Sequence, residues 1–355
     1  MSAARVPALD GLRGVALLLM VLFHTLTPPF SGAFISIDMF FVLSGYLICS
    51  LLLREWQKTG QISLLQFYVR RFLRLMPALW VFLATLLALV FFQYGGEVFA
   101  AARREGVWAF FYISNWVRAL GAAEHMKFFA HTWSLGIEEQ FYLLWPAVLC
   151  FCVARGGVRR ALQAALALAA ACWLWRCTLL ARGAGAERLY NGLDTRLDAL
   201  MWGCALAAWL HGRGAFSAVL QRILQFLAPA AAAAIFALVF ALGWDAWRAP
   251  YFYRWTGVAV SWLTGLLIAD VVHNPSPVMA QLLRWRPLAF LGVVSYGVYL
   301  WHWGVEMLLV QRGLGLAQVR LWTFVLTPLA ALPSFYVVER PFLRMKSRFT
   351  PQRIH

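Results

Sequence analysis

Arg13 and His24 stand eleven positions apart in one apolar run. At 3.6 residues per turn that separation returns to within ~20° of the same helix face, with ~16 Å between the two along the axis. They share a face without touching. An imidazole titrates near neutrality and is the side chain best suited to take a proton from a hydroxyl; the same His24 could instead hydrogen bond between helices. Asp38, at the start of the next apolar run, could hold that imidazole in one tautomer, as the carboxylate of a catalytic dyad does, or could pair structurally. Arg71 and Arg74 are three apart and face one way on a helix. With Arg13 they would make an anion site suited to phosphates. Taken singly, they would serve only to orient a membrane segment.

A second group lies farther along. In His131-Thr-Trp-Ser-Leu-Gly-Ile-Glu-Glu-Gln-Phe-Tyr142, the residues Ser134, Glu138 and Tyr142 recur every four positions and form one polar stripe. Adjacent carboxylates at Glu138 and Glu139 are costly on a helix entering lipid, so Glu138 is a second candidate to orient His24. Asp194-Thr-Arg196-Leu-Asp198 alternates charge and could neutralise itself locally. His302 sits late in another apolar run. Glu339-Arg340 closes the last run as a helix-end pair. A tetrahedral oxyanion would need donors, for which Trp133, Ser134 and Arg196 are suited. Asp198 and His302 join them as candidates for the acceptor's approach. The six cysteines lie in or beside apolar runs with no CxxC pair and no zinc-like Cys/His spacing, so no metal is expected.

The elements that must position these residues are membrane helices. Of 355 residues, 62% are apolar and 13% charged, against roughly a quarter charged in a soluble domain. The net charge of +16 would suit nucleic acid only on a polar domain with a basic face, and no such domain is visible. Ten spans are predicted: 14–28, 34–53, 75–94, 133–154, 161–181, 196–211, 223–243, 255–272, 288–311 and 321–338. An apolar piece at 107–117 is too short to cross a core of ~30 Å and reads as interfacial or re-entrant. The first run is expected to be retained as a helix, not cleaved as a signal. The fold class is therefore all-α, a polytopic bundle of about ten helices. A single membrane domain over residues 1–355, with no appended soluble domain, is expected.

Arg and Lys concentrate in alternate connections, above all Arg54, Lys58, Arg70, Arg71 and Arg74, together with Arg5 before the first span and Arg353 after the last. The positive-inside rule then puts both termini in the cytoplasm. In that orientation Arg13, Arg71 and Arg74 collect at the cytoplasmic mouth and His24 lies near the midplane. Asp38, Glu138, Arg196, Asp198 and His302 lie outward. The pattern suggests an anionic donor held inside and an acceptor reached from outside. A secondary transporter or flippase for a lipid-linked or acylated substrate is the rival reading, since charges at the midplane and interrupted helices are also transporter traits.

Seven segments carry a resemblance. They are Leu9-Asp-Gly-Leu-Arg-Gly14 followed by His24, Ile37–Tyr46, Arg70–Pro77, His131–Tyr142, Asp194–Gly203, Ser295–His302 and Tyr336–Pro341. In their order and over nearly the whole chain they resemble the membrane-bound acyltransferase-3 family, whose members O-acylate carbohydrates and other acceptors. The resemblance implies acetyl-CoA or another acyl-CoA as co-substrate and a carbohydrate, glycolipid or other hydroxyl as acceptor. It also implies an essential Arg13–His24 pair, and donor handling by Arg71 and Arg74. The pantetheine arm would carry the thioester toward His24, as base or transient acyl carrier. Some relatives carry an appended esterase-like domain; without one, transfer would be completed in the membrane domain or on a separate partner. The expected setting is the bacterial cytoplasmic membrane.

Overall fold

In this computed structural model, residues 6–211, 213, 216–273 and 277–349 are described. Arg5 and Arg353, two of the cations used above for orientation, lie outside them. The described chain is helical, with no strand among the described residues. In order it runs through α1 (Pro7–Thr25), α2 (Ser36–Thr59), α3 (Leu64–Tyr94), α4 (Gly96–Phe110), α5 (Ser114–Val117), α6 (Trp133–Ala181) and α7 (Ala186–Asn191). There follow α8 (Leu193–His211), α9 (Ala218–Ala241), α10 (Gly257–His273), α11 (Pro277–Leu283), α12 (Arg286–Gln311), α13 (Leu316–Pro333) and α14 (Arg340–Met345). Helix starts follow local chemistry. Pro7 opens α1, and the hydroxyls of Ser63 and Ser217 accept from the backbone N–H three residues on to cap α3 and α9.

Among the described residues, eight helices are long and apolar enough to cross a bilayer, where ten spans were expected. Two features account for the difference. At 49 residues, α6 would measure about 74 Å at 1.5 Å per residue, more than twice the hydrocarbon thickness. Non-helical backbone at Gly156 (φ −171°, ψ 22°) and Gly157 (φ 63°, ψ −161°) divides it between the two spans expected there. The other is α8, whose Asp194, Arg196 and Asp198 lower its apolarity. The expected interfacial piece is α4 followed by the single turn α5. With 15 residues, α4 reaches only about 22 Å. Its buried side is Ala102, Glu105, Gly106 and Ala109, while Val107 and Phe110 are exposed. It begins earlier than its apolar stretch because Arg103, Arg104 and Glu105 interrupt the hydropathy without interrupting the helix.

The chain divides into two compact units, one comprising Met1–Arg54, Val148–Ala186 and Asp194–Ser295 and the other Glu55–Ala147, Glu187–Leu193 and Tyr296–His355. In the first, Leu12, Leu17, Ile35, Met39, Phe41 and Phe252 are fully buried. Here α2 and α8 cross with their backbones in contact. A Cβ on Gly45 would lie 1.9 Å from the Leu200 carbonyl oxygen, and one on Gly203 2.1 Å from that of Val42. Such crossings of small residues are how membrane helices approach closely. The same device flanks Arg13: a Cβ on Gly11 would meet the Leu283 carbonyl at 1.8 Å and one on Gly14 that of Leu288 at 2.1 Å.

In the second unit, Phe67, Phe82, Phe128, Phe129 and Phe141 are fully buried. Phe82 meets the rings of Phe129, His131 and Trp301 edge-on at 5.3–5.8 Å. Glu55 joins the end of α2 to the start of α3, accepting from the backbone N–H of Ser63 and from Arg70 Nη2, each at 2.8 Å. The hydroxyl of Tyr296 donates to the Leu75 carbonyl at 2.9 Å, tying α12 to α3.

The α2–α8 crossing makes a prediction. Gly203→Ala must push backbone apart and should lower stability by about 1–3 kcal/mol or more, read as a fall in melting temperature in detergent. Gly243→Ala, with nothing within 4 Å of the added carbon, should leave it unchanged.

Candidate active site

The residues singled out in the sequence fall into two groups. Arg13, His24, Asp38, Arg196 and Asp198 belong to the first unit, and Arg71, Arg74, Trp133, Ser134, Glu138 and His302 to the second.

In the first unit, one continuous helix carries Arg13 and His24, so the shared face read from their spacing holds. Both are half-buried. His24 meets Phe23 edge-on at 5.1 Å, and Phe23 stacks on Trp244 at 4.9 Å. Asp38, read above as a partner that would orient His24, instead sits against Arg196, with Oδ1 3.0 Å from Nη2. The Arg196 guanidinium also lies 5.7 Å from the ring centres of Phe41 and Phe252. Beside it, Arg176 Nη1 donates at 2.7 Å to Asp198 Oδ1 and to the Thr195 carbonyl, and Nε donates at 2.8 Å to the Tyr253 carbonyl. Trp175 Nε1 donates to Asp194 Oδ2 at 2.8 Å. The Asp194-Thr-Arg196-Leu-Asp198 triplet, expected to neutralise itself, thus finds partners on α2 and α6. Residues two apart on a helix point in different directions, so three alternating charges reach neighbours sooner than each other. Arg176 was visible only as a charge inside an apolar run.

In the second unit, Tyr299 joins His131 and the candidates Ser134 and His302. Its hydroxyl donates to the His131 carbonyl, which leaves Ser134 Oγ, 2.6 Å away, as the donor to it. His302 Nδ1 lies 2.6 Å from the Tyr299 carbonyl, an acceptor only, so Nδ1 carries the proton and a neutral ring would present its lone pair at Nε2. The rings of His131 and His302 are 5.6 Å apart, and Trp133 packs on Tyr190 at 4.9 Å. In the sequence Tyr299 lies within Ser295–His302, where a tyrosine in an apolar run reads as packing.

The arginines of α3 separate by role. Arg70 is buried, bonded to Glu55 and to the Phe349 carbonyl. Arg71 and Arg74 are half-buried. The Arg71 guanidinium lies 5.1 Å from the ring centre of Tyr142 and 5.6 Å from that of Phe67, and Glu139 stands within the field of both arginines. Glu138, on the same helical turn, is half-buried. Glu105 has no counterpart in the sequence reading. Buried on α4, it accepts from the Phe129 backbone N–H at 2.9 Å and so anchors the loop that leads to His131. Burial pushes its carboxyl above the usual carboxylate range, while the N–H groups of Phe129, Lys127 and Phe128 act in the opposite sense. No group of three His, Cys, Asp or Glu side chains suited to a metal ion occurs among the described residues.

A profile described as an acyltransferase domain, Acyl_transf_3, matches residues 6–339. The chain belongs to the acyltransferase-3 family. The peptidoglycan O-acetyltransferase OatA of Listeria monocytogenes is 34% identical over 350 residues, covering 95% of this chain and 55% of that protein. The putative peptidoglycan O-acetyltransferase YrhL of Bacillus subtilis is 33% identical over 98% of this chain and 56% of its own length. The O-acetyltransferase OatA of Staphylococcus aureus is 33% identical over 94% and 57%. The chain thus spans little more than half the length of these relatives. No solved structure matches it.

Two predictions follow from the geometry. Arg196→Gln leaves Asp38 buried without its cation and should cost about 3–5 kcal/mol. The double change Asp38→Asn/Arg196→Gln should cost less than the sum of the single changes, checked by a thermal-unfolding double-mutant cycle. Glu105→Ala leaves the Phe129 N–H buried without its acceptor and should cost about 1–3 kcal/mol, whereas Glu105→Gln keeps an acceptor. Because the folded Glu105 carboxyl titrates above its unfolded value, its contribution to stability falls as pH rises from the unfolded value through the folded one. That slope should be missing from the melting curves of Glu105→Gln.

Proposed function

We propose that this chain is a membrane O-acyltransferase that moves an acyl group, most simply acetyl, from acyl-CoA to a hydroxyl of a carbohydrate acceptor. The observation that carries it is the match over nearly the whole chain to proteins named peptidoglycan O-acetyltransferases, so a peptidoglycan sugar is the first acceptor to test. The setting is the bacterial cytoplasmic membrane with both termini in the cytoplasm, supported by the distribution of Arg and Lys.

His24 serves as general base. Its imidazole takes the acceptor's hydroxyl proton as the oxygen attacks the thioester carbonyl carbon. The tetrahedral oxyanion collapses, the carbon–sulfur bond breaks, and the imidazolium returns its proton to the departing thiolate, giving an ester and free coenzyme A. Arg71 and Arg74 hold the donor's phosphates, and Arg13 is a further anion-binding cation; a guanidinium matches a phosphate through paired donors and keeps its charge throughout. The half-burial of Arg13, His24, Arg71 and Arg74 supports these roles, because a group that handles substrate has to be reachable. Trp133, Ser134 and His302 are buried, so by the same criterion they belong to the framework of the second unit.

The test is thiol release from acetyl-CoA by the purified chain in nanodiscs, with peptidoglycan fragments supplied as acceptor. His24→Ala should lower kcat by about 10²–10⁴-fold with the KM for acetyl-CoA little changed. Arg71→Ala/Arg74→Ala should raise that KM by about a hundredfold or more, the scale of two lost charge-assisted contacts. Full activity in a folded His24→Ala protein overturns the base. Neither donor binding nor turnover by wild type with any acyl-CoA overturns the acyltransferase reading in favour of a transporter.

A further inference from the structure

The segment 340–349 packs along α3 within the second unit. Residues Lys346–Phe349 form a single 3-10 turn after α14. Its end is fastened by Arg70, whose Nη1 donates to the Phe349 carbonyl at 2.7 Å while Nη2 is held 2.8 Å from Glu55 Oε2. Arg70 is thereby committed on both sides of its guanidinium. Arg71 and Arg74, on the same stretch of α3, are not engaged by that clamp and remain half-buried.

The clamp brings Lys346 into this cluster. What acts on its ammonium is burial first, then Arg74, Arg71 and Arg70, and together they bring it down to about 7. The other charged and titratable groups on the packed elements are Tyr68 on α3, Glu55 at the end of α2, Tyr336 and Glu339 at the close of the last span, and Arg340 and Arg344 on α14. Glu339 acts on Arg74, and Glu139 on Arg71 and Arg74. The influences that set Lys346 are all unfavourable to its charge. A fold that ties a lysine against three arginines holds like charges together, and a polyanion between them removes the repulsion and restores the proton.

We propose that Lys346 is a further phosphate-binding cation, which with Arg71 and Arg74 cradles the diphosphate or phosphomonoester of a nucleotide-linked donor. The turn Lys346–Phe349 is then part of the donor site. This rests on the reading that Arg71 and Arg74 hold donor phosphates. A lipid headgroup offers the same phosphate chemistry, and the test separates the two sources.

Binding of coenzyme A to the full chain is measured by calorimetry in phosphatidylcholine nanodiscs, for wild type, Lys346→Gln, Lys346→Arg and Arg71→Ala/Arg74→Ala. Lys346→Gln should weaken binding by about 10- to 100-fold, the range of one charge-assisted contact, and Lys346→Arg should stay within about threefold of wild type. Between pH 6 and 9 wild type should lose affinity relative to Lys346→Arg, because its lysine must be reprotonated to bind and a guanidinium need not be. Matching pH profiles for wild type and Lys346→Arg overturn the proposal even if Lys346→Gln fails to fold. No binding of coenzyme A by wild type overturns the donor reading itself. Binding weakened by Arg71→Ala/Arg74→Ala but untouched by Lys346→Gln overturns this proposal alone. Phosphatidylglycerol that competes with coenzyme A in wild type, but not in Lys346→Gln, while the variant binds coenzyme A normally, assigns Lys346 to a lipid headgroup and also overturns it.

Discussion

An ionised side chain carried into hydrocarbon costs a few kcal/mol on insertion scales, and one left unpaired inside protein costs more. The described residues meet this constraint by pairing between helices. In the first unit, Asp38 on α2 meets Arg196 on α8, and Arg176 on α6 meets Asp198 on α8, at 3.0 and 2.7 Å. Only α8 contributes to both, and it can do so because it is enclosed: Thr195, Arg196, Asp198, Ala199, Leu200 and Met201 are all buried. The glycine contacts at Gly45 and Gly203 belong to the same solution. Backbones in contact bring short and long charged side chains within reach, and the ion pairs in turn select one register for the crossing.

This constraint sorts the chemical candidates. Asp38, Arg196, Asp198 and Arg176 are buried and engaged with one another, which suits groups that hold helices in place. Arg13, His24, Arg71, Arg74 and Glu138 are half-buried. A side chain that must meet a substrate has to keep some surface for it, so the division by burial separates scaffold from chemistry more sharply than residue type does. Asp38 is the clearest case. As an intramembrane carboxylate it is an equally good candidate for a dyad or a scaffold pair, and its cation assigns it to the scaffold. The α3 arginines repeat the pattern, with Arg70 buried and committed to Glu55 and Phe349 and Arg71 and Arg74 half-buried.

Hydropathy made the helices legible because each span must cover its backbone polar groups in lipid. It also separated the two spans that Gly156 and Gly157 divide, but it could not show that α8 stays helical through three charges, since that outcome depends on neighbours. The same limit applies within the site. Periodicity placed Arg13 with His24 and Arg71 with Arg74, because a helix face is a local property. The partners of Asp194, Arg196 and Asp198 are more than a hundred residues away in one case and on α6 in the others, and spacing along one helix carries no information about them. Glu105, Tyr299 and Lys346 escaped for a related reason. Each acts through a backbone carbonyl, a backbone N–H or the field of distant charges, and none of these leaves a pattern in a single segment.

The proposed chemistry also bears on what a membrane setting supplies. Transfer from a thioester to an alcohol yields a more stable ester, so no gradient or nucleotide hydrolysis is needed to drive it. The difficulty is access. Coenzyme A is a polyanion confined to the aqueous side that holds it, while a cell-wall sugar is a bulky polyol, and neither enters hydrocarbon. In the proposed reading the permanent cations sit where water reaches them, and the base, His24, lies farther along the same helix as Arg13, ~16 Å away. A permanent charge can bind phosphate at any depth that water reaches. A base has to lose and regain a proton, which a histidine does near neutrality and an arginine does not. That difference is why the Arg13–His24 order along α1 is compatible with acyl transfer, and why exchanging the two residue types would leave an anion site with no base behind it.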